Sequence, residues 1–258
     1  MTWTSGISYI YDGTFDGLMT CVFESYERKE ELADIISGDE PQAILFSSRQ
    51  VETCPVKAER VYSSIARKIS PQAQELIRLG FLTCAPQKEL LIYRFLRIGF
   101  RAGEQVMKML TEHSVHQLNK AVRHLRTESH ALTGFVRFSI HDHVLVAVIE
   151  PKNQVLPLIA GHFCQRFAGD TFLIYDKSHG QALMYRHDAC PEEKLVMMET
   201  DELTLPEADE NEECYRRLWK QFYDTVAIRE RINPRARLSH MPKRYWGHLT
   251  EMQQERKR

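Results

Sequence analysis

Apolar residues change period several times along the chain, and each change predicts an element. Residues 7–10 (ISYI) read as a strand that the Asp12-Gly13 turn closes. Thr14 is placed to cap a helix whose apolar positions, Phe15, Leu18, Met19, Val22 and Tyr26, recur at helical spacing. Residues 42–46 (QAILF) predict a second strand after the Gly38/Pro41 break. From 57 to 126 every segment keeps a helical period. Val61, Ile65 and Ile69 mark one helix, and Pro71 opens the next at its favoured first position, with Leu76 and Leu79 inward and Gly80 past its end. A third helix is expected over 88–110 and a fourth over 114–126, the latter with Val115, Leu118, Val122 and Leu125 inward.

The period then shortens. Residues 135–138 and 144–149 predict two strands around a turn at Asp142, and 155–168 predicts a helix that Gly169 ends. Residues 171–175 and 182–185 predict a hairpin across Ser178-His179-Gly180. A last amphipathic helix carries Tyr215, Leu218, Trp219, Phe222 and Val226 on its inward side. Asn233-Pro234 stops it, and Pro242 opens a short helix running to about 252. The class is therefore α+β. A mostly helical part over 1–130 precedes a small antiparallel sheet with one packing helix over 131–191, in the order strand-strand-helix-strand-strand. An acidic linker over 192–213 leads to carboxy-terminal helices over 214–258 that pack back on the core.

Composition narrows the function classes. A hydrophobic content of 43% over 258 residues is ample for a core. No apolar run is long enough for a membrane span, and MTWTSGISYIYDG lacks the basic end and apolar centre of a secretory signal. A cytoplasmic protein without membrane contact is expected. The six cysteines each stand more than 20 residues from the next, which suits neither a zinc site nor an iron–sulfur cluster. Reduced, mostly buried thiols are expected, with no metal or cofactor held by this chain. Gly-x-Gly, the Walker loop, the zinc-protease helix, the Gly-x-Ser-x-Gly elbow and Pro-Cys-x-x-Cys are all absent.

The net charge of −1 hides strong segregation. Residues 1–56 carry −7, 57–130 carry +7, 192–213 carry −9 and 229–258 carry +6. A local basic zone can bind a polyanion, because potential is decided within about one Debye length, roughly 8 Å in physiological salt. Arg94, Arg97, Arg101 and Lys108 share one face of the 88–110 helix, where guanidinium groups suit phosphate contacts, and Arg123 and Arg126 could widen that patch. At the carboxy-terminal end, Lys243 and Arg244 stand beside Tyr245 and Trp246, a set that suits phosphate neutralisation with base stacking or, equally, docking of the last helix by the two rings. Arg137 and Arg166 are further nucleic-acid candidates. Glu128, His130, His162 and Asp176 are the candidates for an acid–base site, since a carboxylate beside an imidazole orients it. Each has an ordinary structural alternative: an ion pair between Glu128 and Arg137, a helix cap at His130, a buried hydrogen-bonded His162. His141 and His143, lacking a third ligand, are a weak metal signal.

Motifs spread over nearly the whole chain add a resemblance. They are Tyr11-Asp12-Gly13-Thr14-Phe15-Asp16-Gly17, Arg97-Ile98-Gly99-Phe100, and Glu128-x-His130 leading to Gly134-Phe135-x-Arg137-Phe138. Val155-Leu156-Pro157-Leu158, His162-Phe163-x-x-Arg166-Phe167, Ile174-Tyr175-Asp176, Asn233-Pro234 and Met241-Pro242-Lys243-Arg244-Tyr245-Trp246 follow. As a set they resemble a bacterial family of unknown function assigned to DNA metabolism. Its members are typically encoded beside a radical S-adenosylmethionine protein of DNA repair or modification, and a related region is fused to uracil-DNA-binding, glycosylase-like domains. The chain departs from the family's pattern at Ala131, where a basic residue is usual, and at Lys177-Ser178-His179, where arginine is usual. The resemblance implies a context of DNA repair or modification. With the basic and aromatic residues it leads to the expectation of an accessory protein that binds nucleic acid, with DNA as the expected ligand, or presents it to a partner enzyme, the radical S-adenosylmethionine protein. The alternatives are an enzyme acting on nucleotides or nucleic acid through Glu128, His130, His162 and Asp176, and a protein–protein adaptor whose 192–213 segment docks a basic partner.

Overall fold

A computed structural model of the chain describes residues 4–38, 47–200, 211–226, 228, 231 and 233–253. It is α+β, as the periodicity predicts, and falls into two compact units, 1–125 and 126–258.

In the first unit, β1 (Thr4–Tyr11) lies between β2 (Glu30–Ser37) and β3 (Ser47–Gln50), and both pairings are parallel. Parallel neighbours need a crossover, which α1 (Phe15–Arg28) supplies between β1 and β2. The Asp12-Gly13-Thr14 turn that starts α1 is built from its own side chains. Asp12 accepts from the Thr14 amide (3.0 Å) and hydroxyl (2.7 Å) and from Thr53 Oγ1 (2.6 Å), while Thr14 Oγ1 accepts from the Gly17 amide (3.0 Å). A Cβ at Gly17 would run into Asp12 Oδ1, the oxygen that holds the turn. Four helices follow: α2 (Pro55–Lys68), α3 (Pro71–Phe81), α4 (Lys88–Ala102) and the first part of α5 (His113–Phe135). Their inward residues Ile65, Ile77, Phe95, Leu96 and Leu118 are buried.

Several expectations change here. The strand expected over 42–46 lies outside the described residues, and the described pairing begins at Ser47. β2 carries no clear alternation to reveal it, because Glu30, Glu31 and Asp34 interrupt its apolar residues. The helix expected over 88–110 stops at Ala102, because Gly103 takes φ +59° and ψ −146°, a glycine conformation, and a 3-10 turn over Gly103–Lys108 follows. Lys108 therefore leaves the α4 arginine row. In turn α5 runs past 126 to Phe135, absorbing the residues read as the start of a strand. Leu132 continues the stripe of Leu118, Val122 and Leu125, and pairing starts only at Ser139.

The second unit is a five-stranded sheet in chain order, β4 (Ser139–His141), β5 (Val144–Ile149), β6 (Phe172–Asp176), β7 (Gln181–Tyr185) and β8 (Leu195–Glu199). It is mixed rather than wholly antiparallel. α6 (Leu156–Arg166) carries the chain from β5 to β6, so that one pair is parallel and the other three are antiparallel. The β4–β5 turn at Asp142 and His143 has positive φ at both residues, as a two-residue hairpin requires. β8 occupies part of the expected acidic linker, while 201–210 lie outside the described residues. Phe138, Phe163, Phe167 and Phe172 pack edge to face or offset at centroid distances of 5.0–6.5 Å, and Tyr185 stacks on Phe172. Such pairs contribute about 1 kcal/mol each beyond area burial. α7 (Glu212–Val226) follows. Asn233-Pro234 does not end it but opens α8 (Pro234–His240), with Asn233 accepting from the Ala236 amide (3.0 Å). Two 3-10 turns, Lys243–His248 and Thr250–Met252, stand where a short helix is expected.

Only Cys21 is fully buried, and burial pushes its thiol up to about 12. Cys84, Cys190 and Cys214 are exposed, against the expectation of mostly buried thiols. Among the described residues no helix is long and apolar enough to cross a membrane, and no three potential ligands gather as a metal site. His141 is buried against Ser139 (3.0 Å), and His143 is exposed in the turn.

Candidate nucleic-acid interface

The helix expected to dock inward does not bury its apolar face. On α7, Tyr215 is 57% exposed, Trp219 41% and Phe222 57%. These rings line a groove of about 930 Å³ together with Phe138, Phe163, Phe167, Arg166 and Arg216. Its volume lies near the top of the range of ligand clefts, roughly 300–1,000 Å³.

Polar contacts hold α7 in this position. Glu212, buried at its start, accepts from the Ile140 amide (3.2 Å) and from Arg216 Nε (2.7 Å). At mid-helix, Trp219 Nε1 donates to Glu251 Oε2 (3.0 Å), and Arg137 donates to both oxygens of the same carboxylate (2.7 and 3.3 Å). The Arg137 guanidinium also lies 5.6 Å from the Trp219 ring centroid. Burial works against the charge on Glu251, but hydrogen bonds from Arg137, from the backbone and from Trp219 outweigh it and hold the carboxyl below its usual range. Arg137 thus braces the groove. Arg166 is exposed, 5.7 Å from the Phe167 ring centroid, and presents its charge at the groove edge.

The residues singled out for acid–base chemistry occupy separate settings. Glu128 is buried in α5, where it accepts from the Lys152 and Asn153 amides (3.1 and 2.9 Å), Asn153 Nδ2 (2.5 Å) and Tyr245 OH (3.3 Å), and pairs with Arg244 (3.0 Å). Asp176, fully buried at the end of β6, accepts from the Ser178 and His179 amides (3.0 and 3.3 Å) and meets His179 Nδ1 at 2.7 Å. It closes the β6–β7 turn. His130 is exposed, and His162 is exposed with its ring against Phe163. Neither carboxylate bonds to His130 or His162 among the described residues. Glu128 also pairs with Arg244 rather than with Arg137.

The carboxy-terminal candidates are largely committed to packing. Tyr245 is buried under Arg244, whose guanidinium stands 4.7 Å from its ring centroid, and Trp246 Nε1 donates to the Met241 carbonyl (3.0 Å). Lys243 and Arg244 remain exposed. In the first unit, Arg94 and Arg101 are exposed on α4, whereas Arg97 is buried and donates to Tyr93 OH (2.9 Å). The aromatic wall that sequence reasoning missed lies in α7. Its period was visible, but a period gives one apolar face and not whether that face is covered.

Residues 86–251 match the model of a family described as a domain of unknown function, DUF4130. No curated protein matches the chain.

Proposed function

We propose that this chain, which belongs to the DUF4130 family, binds single-stranded nucleic acid in the α7 groove as an accessory protein of DNA metabolism, presenting the strand to a partner enzyme. The observation that carries the reading is the exposed row of Tyr215, Trp219 and Phe222 in a groove that Phe138, Phe167 and Arg166 also line. Three half-exposed rings on one helix face are costly to leave in water and offer flat surfaces on which bases stack. A neighbouring guanidinium can neutralise a phosphate without reading sequence. The groove's wall of Phe138, Phe163 and Phe167 favours unpaired bases over the charged exterior of a duplex. The context of DNA metabolism, and a radical S-adenosylmethionine protein as the partner, come from the sequence resemblance.

The test is fluorescence-anisotropy titration of a labelled oligothymidine and of the matching duplex. Binding of the single strand in the low-micromolar range or tighter at low salt is expected, with weaker binding of the duplex. Stacking contributes about 1–3 kcal/mol per base, so Phe222→Ala should weaken binding by roughly 5- to 150-fold. Equal binding by wild type and Phe222→Ala, or no binding by the folded chain, overturns the proposal.

A further inference from the structure

A second cavity, in the first unit, has a different character. It encloses about 330 Å³ between the arginine face of α4, the start of β2 at Glu31 and Leu32, and the first turn of α5 at His113 and Ser114. Arg94, Arg97 and Arg101 all line it, three and four residues apart on one helix face. Arg97 is only 8% exposed and is fixed from two directions. Its Nη1 donates to Tyr93 OH, and its guanidinium lies 5.7 and 5.8 Å from the ring centroids of Tyr93 and Tyr26. Tyr93 OH is itself anchored, donating to the Glu30 carbonyl (3.3 Å) and accepting from the Leu32 amide (3.4 Å). Arg94 and Arg101 make no hydrogen bond or ion pair among the described residues, although Glu31 and Glu112 line the same recess.

We propose that this recess is a binding site for a phosphomonoester, either a free nucleotide or the terminal phosphate of a strand. Three arginines line one small cavity, and an anion seated there offsets their like charge. A phosphomonoester brings about 1.5–2 negative charges and three acceptor oxygens, one oxygen for each guanidinium. An internal phosphodiester brings only a single charge. Arginine suits the role because its planar fork holds phosphate in a fixed orientation, and Arg97 is already oriented by Tyr93 before any ligand arrives. Glu31 and Glu112 oppose an anion here. They supply an unusual test, since removing one should strengthen binding. The site lies in the unit that does not hold the α7 groove and stands independently of it.

Calorimetric titration at constant ionic strength compares deoxyadenosine monophosphate with deoxyadenosine, and a 5′-phosphorylated oligonucleotide with its 5′-hydroxyl counterpart. In at least one pair the phosphorylated ligand should bind tenfold or more tightly. Preference within the first pair identifies a free nucleotide as the source, and preference within the second pair alone identifies a strand end. The Arg94→Ala/Arg101→Ala variant, altered only at exposed positions, should lose about tenfold or more for each guanidinium removed. Glu112→Gln should bind more tightly than wild type. No phosphate preference in either pair, or unchanged affinity in the double variant, overturns the site. Phe222→Ala should leave the preference for the phosphorylated ligand intact, which separates this site from the groove.

Discussion

The Glu128 carboxylate receives two backbone amides, a side-chain amide, a phenol and a guanidinium, from the loop after β5 and from the carboxy-terminal 3-10 turn. A carboxylate so completely satisfied is a fastening point rather than a base waiting for a substrate proton. Removing it leaves buried donors unpaired, so Glu128→Ala should cost about 3 kcal/mol in urea unfolding. An unchanged transition midpoint would refute that role. Glu251 makes a complementary pH argument. Its carboxyl titrates below its usual value of 4.5 in the folded chain, so the ionised pair with Arg137 stabilises the fold at neutral pH. That contribution is lost as pH falls below the unfolded value and through the folded one. Wild type should therefore lose more stability than Glu251→Gln between about pH 5 and pH 3. Asp12 and Glu24 are also held low, so the difference between the two proteins, rather than the wild-type curve, is the measurement. Parallel curves would mean that Glu251 contributes nothing through its charge.

Elements were legible where periodicity was strong. The α1 cap at Thr14, the Pro71 start of α3 and the strand–strand–helix–strand–strand order of the second unit follow from apolar spacing and turn residues. β2 and β8 were not, for different reasons. Charged residues break up β2, while β8 is an edge strand with exposed Leu195, Met197 and Met198 inside an acidic stretch. The boundary at Gly103 was missed because its positive φ is a property of the fold and not of the local period. At that φ and ψ a Cβ costs about 1–3 kcal/mol, so Gly103→Ala should lower the unfolding free energy by that amount. An unaffected variant would show that the junction after α4 relaxes without strain. The candidate site was legible only in part. Arg166 was singled out and lines the groove, but Tyr215, Trp219 and Phe222 were assigned to the core, because the helical period of a covered face and of an uncovered one is identical. Tyr245 and Trp246, read either as stacking on bases or as docking the last helix, bond through their polar atoms to Glu128 and to the Met241 carbonyl.

At the scale of the molecule, segregated charge does not separate one unit from the other. Residues 1–125 contain 15 basic and 15 acidic side chains, and residues 126–258 contain 19 and 20. Neither unit carries a net field that would draw a polyanion from a distance, so capture depends on short-range contacts within the grooves. The α7 groove offers Arg166 and Arg216 for phosphate, and Arg216 is partly occupied by Glu212. Each phosphate neutralised on a single strand contributes a slope of about −0.7 to log K against log salt. One or two contacts give a slope between about −0.7 and −1.4, shallow for a nucleic-acid-binding protein. Stacking should therefore carry most of the affinity, and binding should survive in moderate salt. Arg166→Ala should flatten the slope by about 0.7 while leaving stacking in place, whereas Phe222→Ala should lower affinity at every salt concentration without changing the slope. Anisotropy titrations between about 50 and 300 mM salt distinguish the two effects. A slope steeper than about −4 would require six or more phosphate contacts, more than the groove's cations can make, and would move the binding surface elsewhere on the molecule.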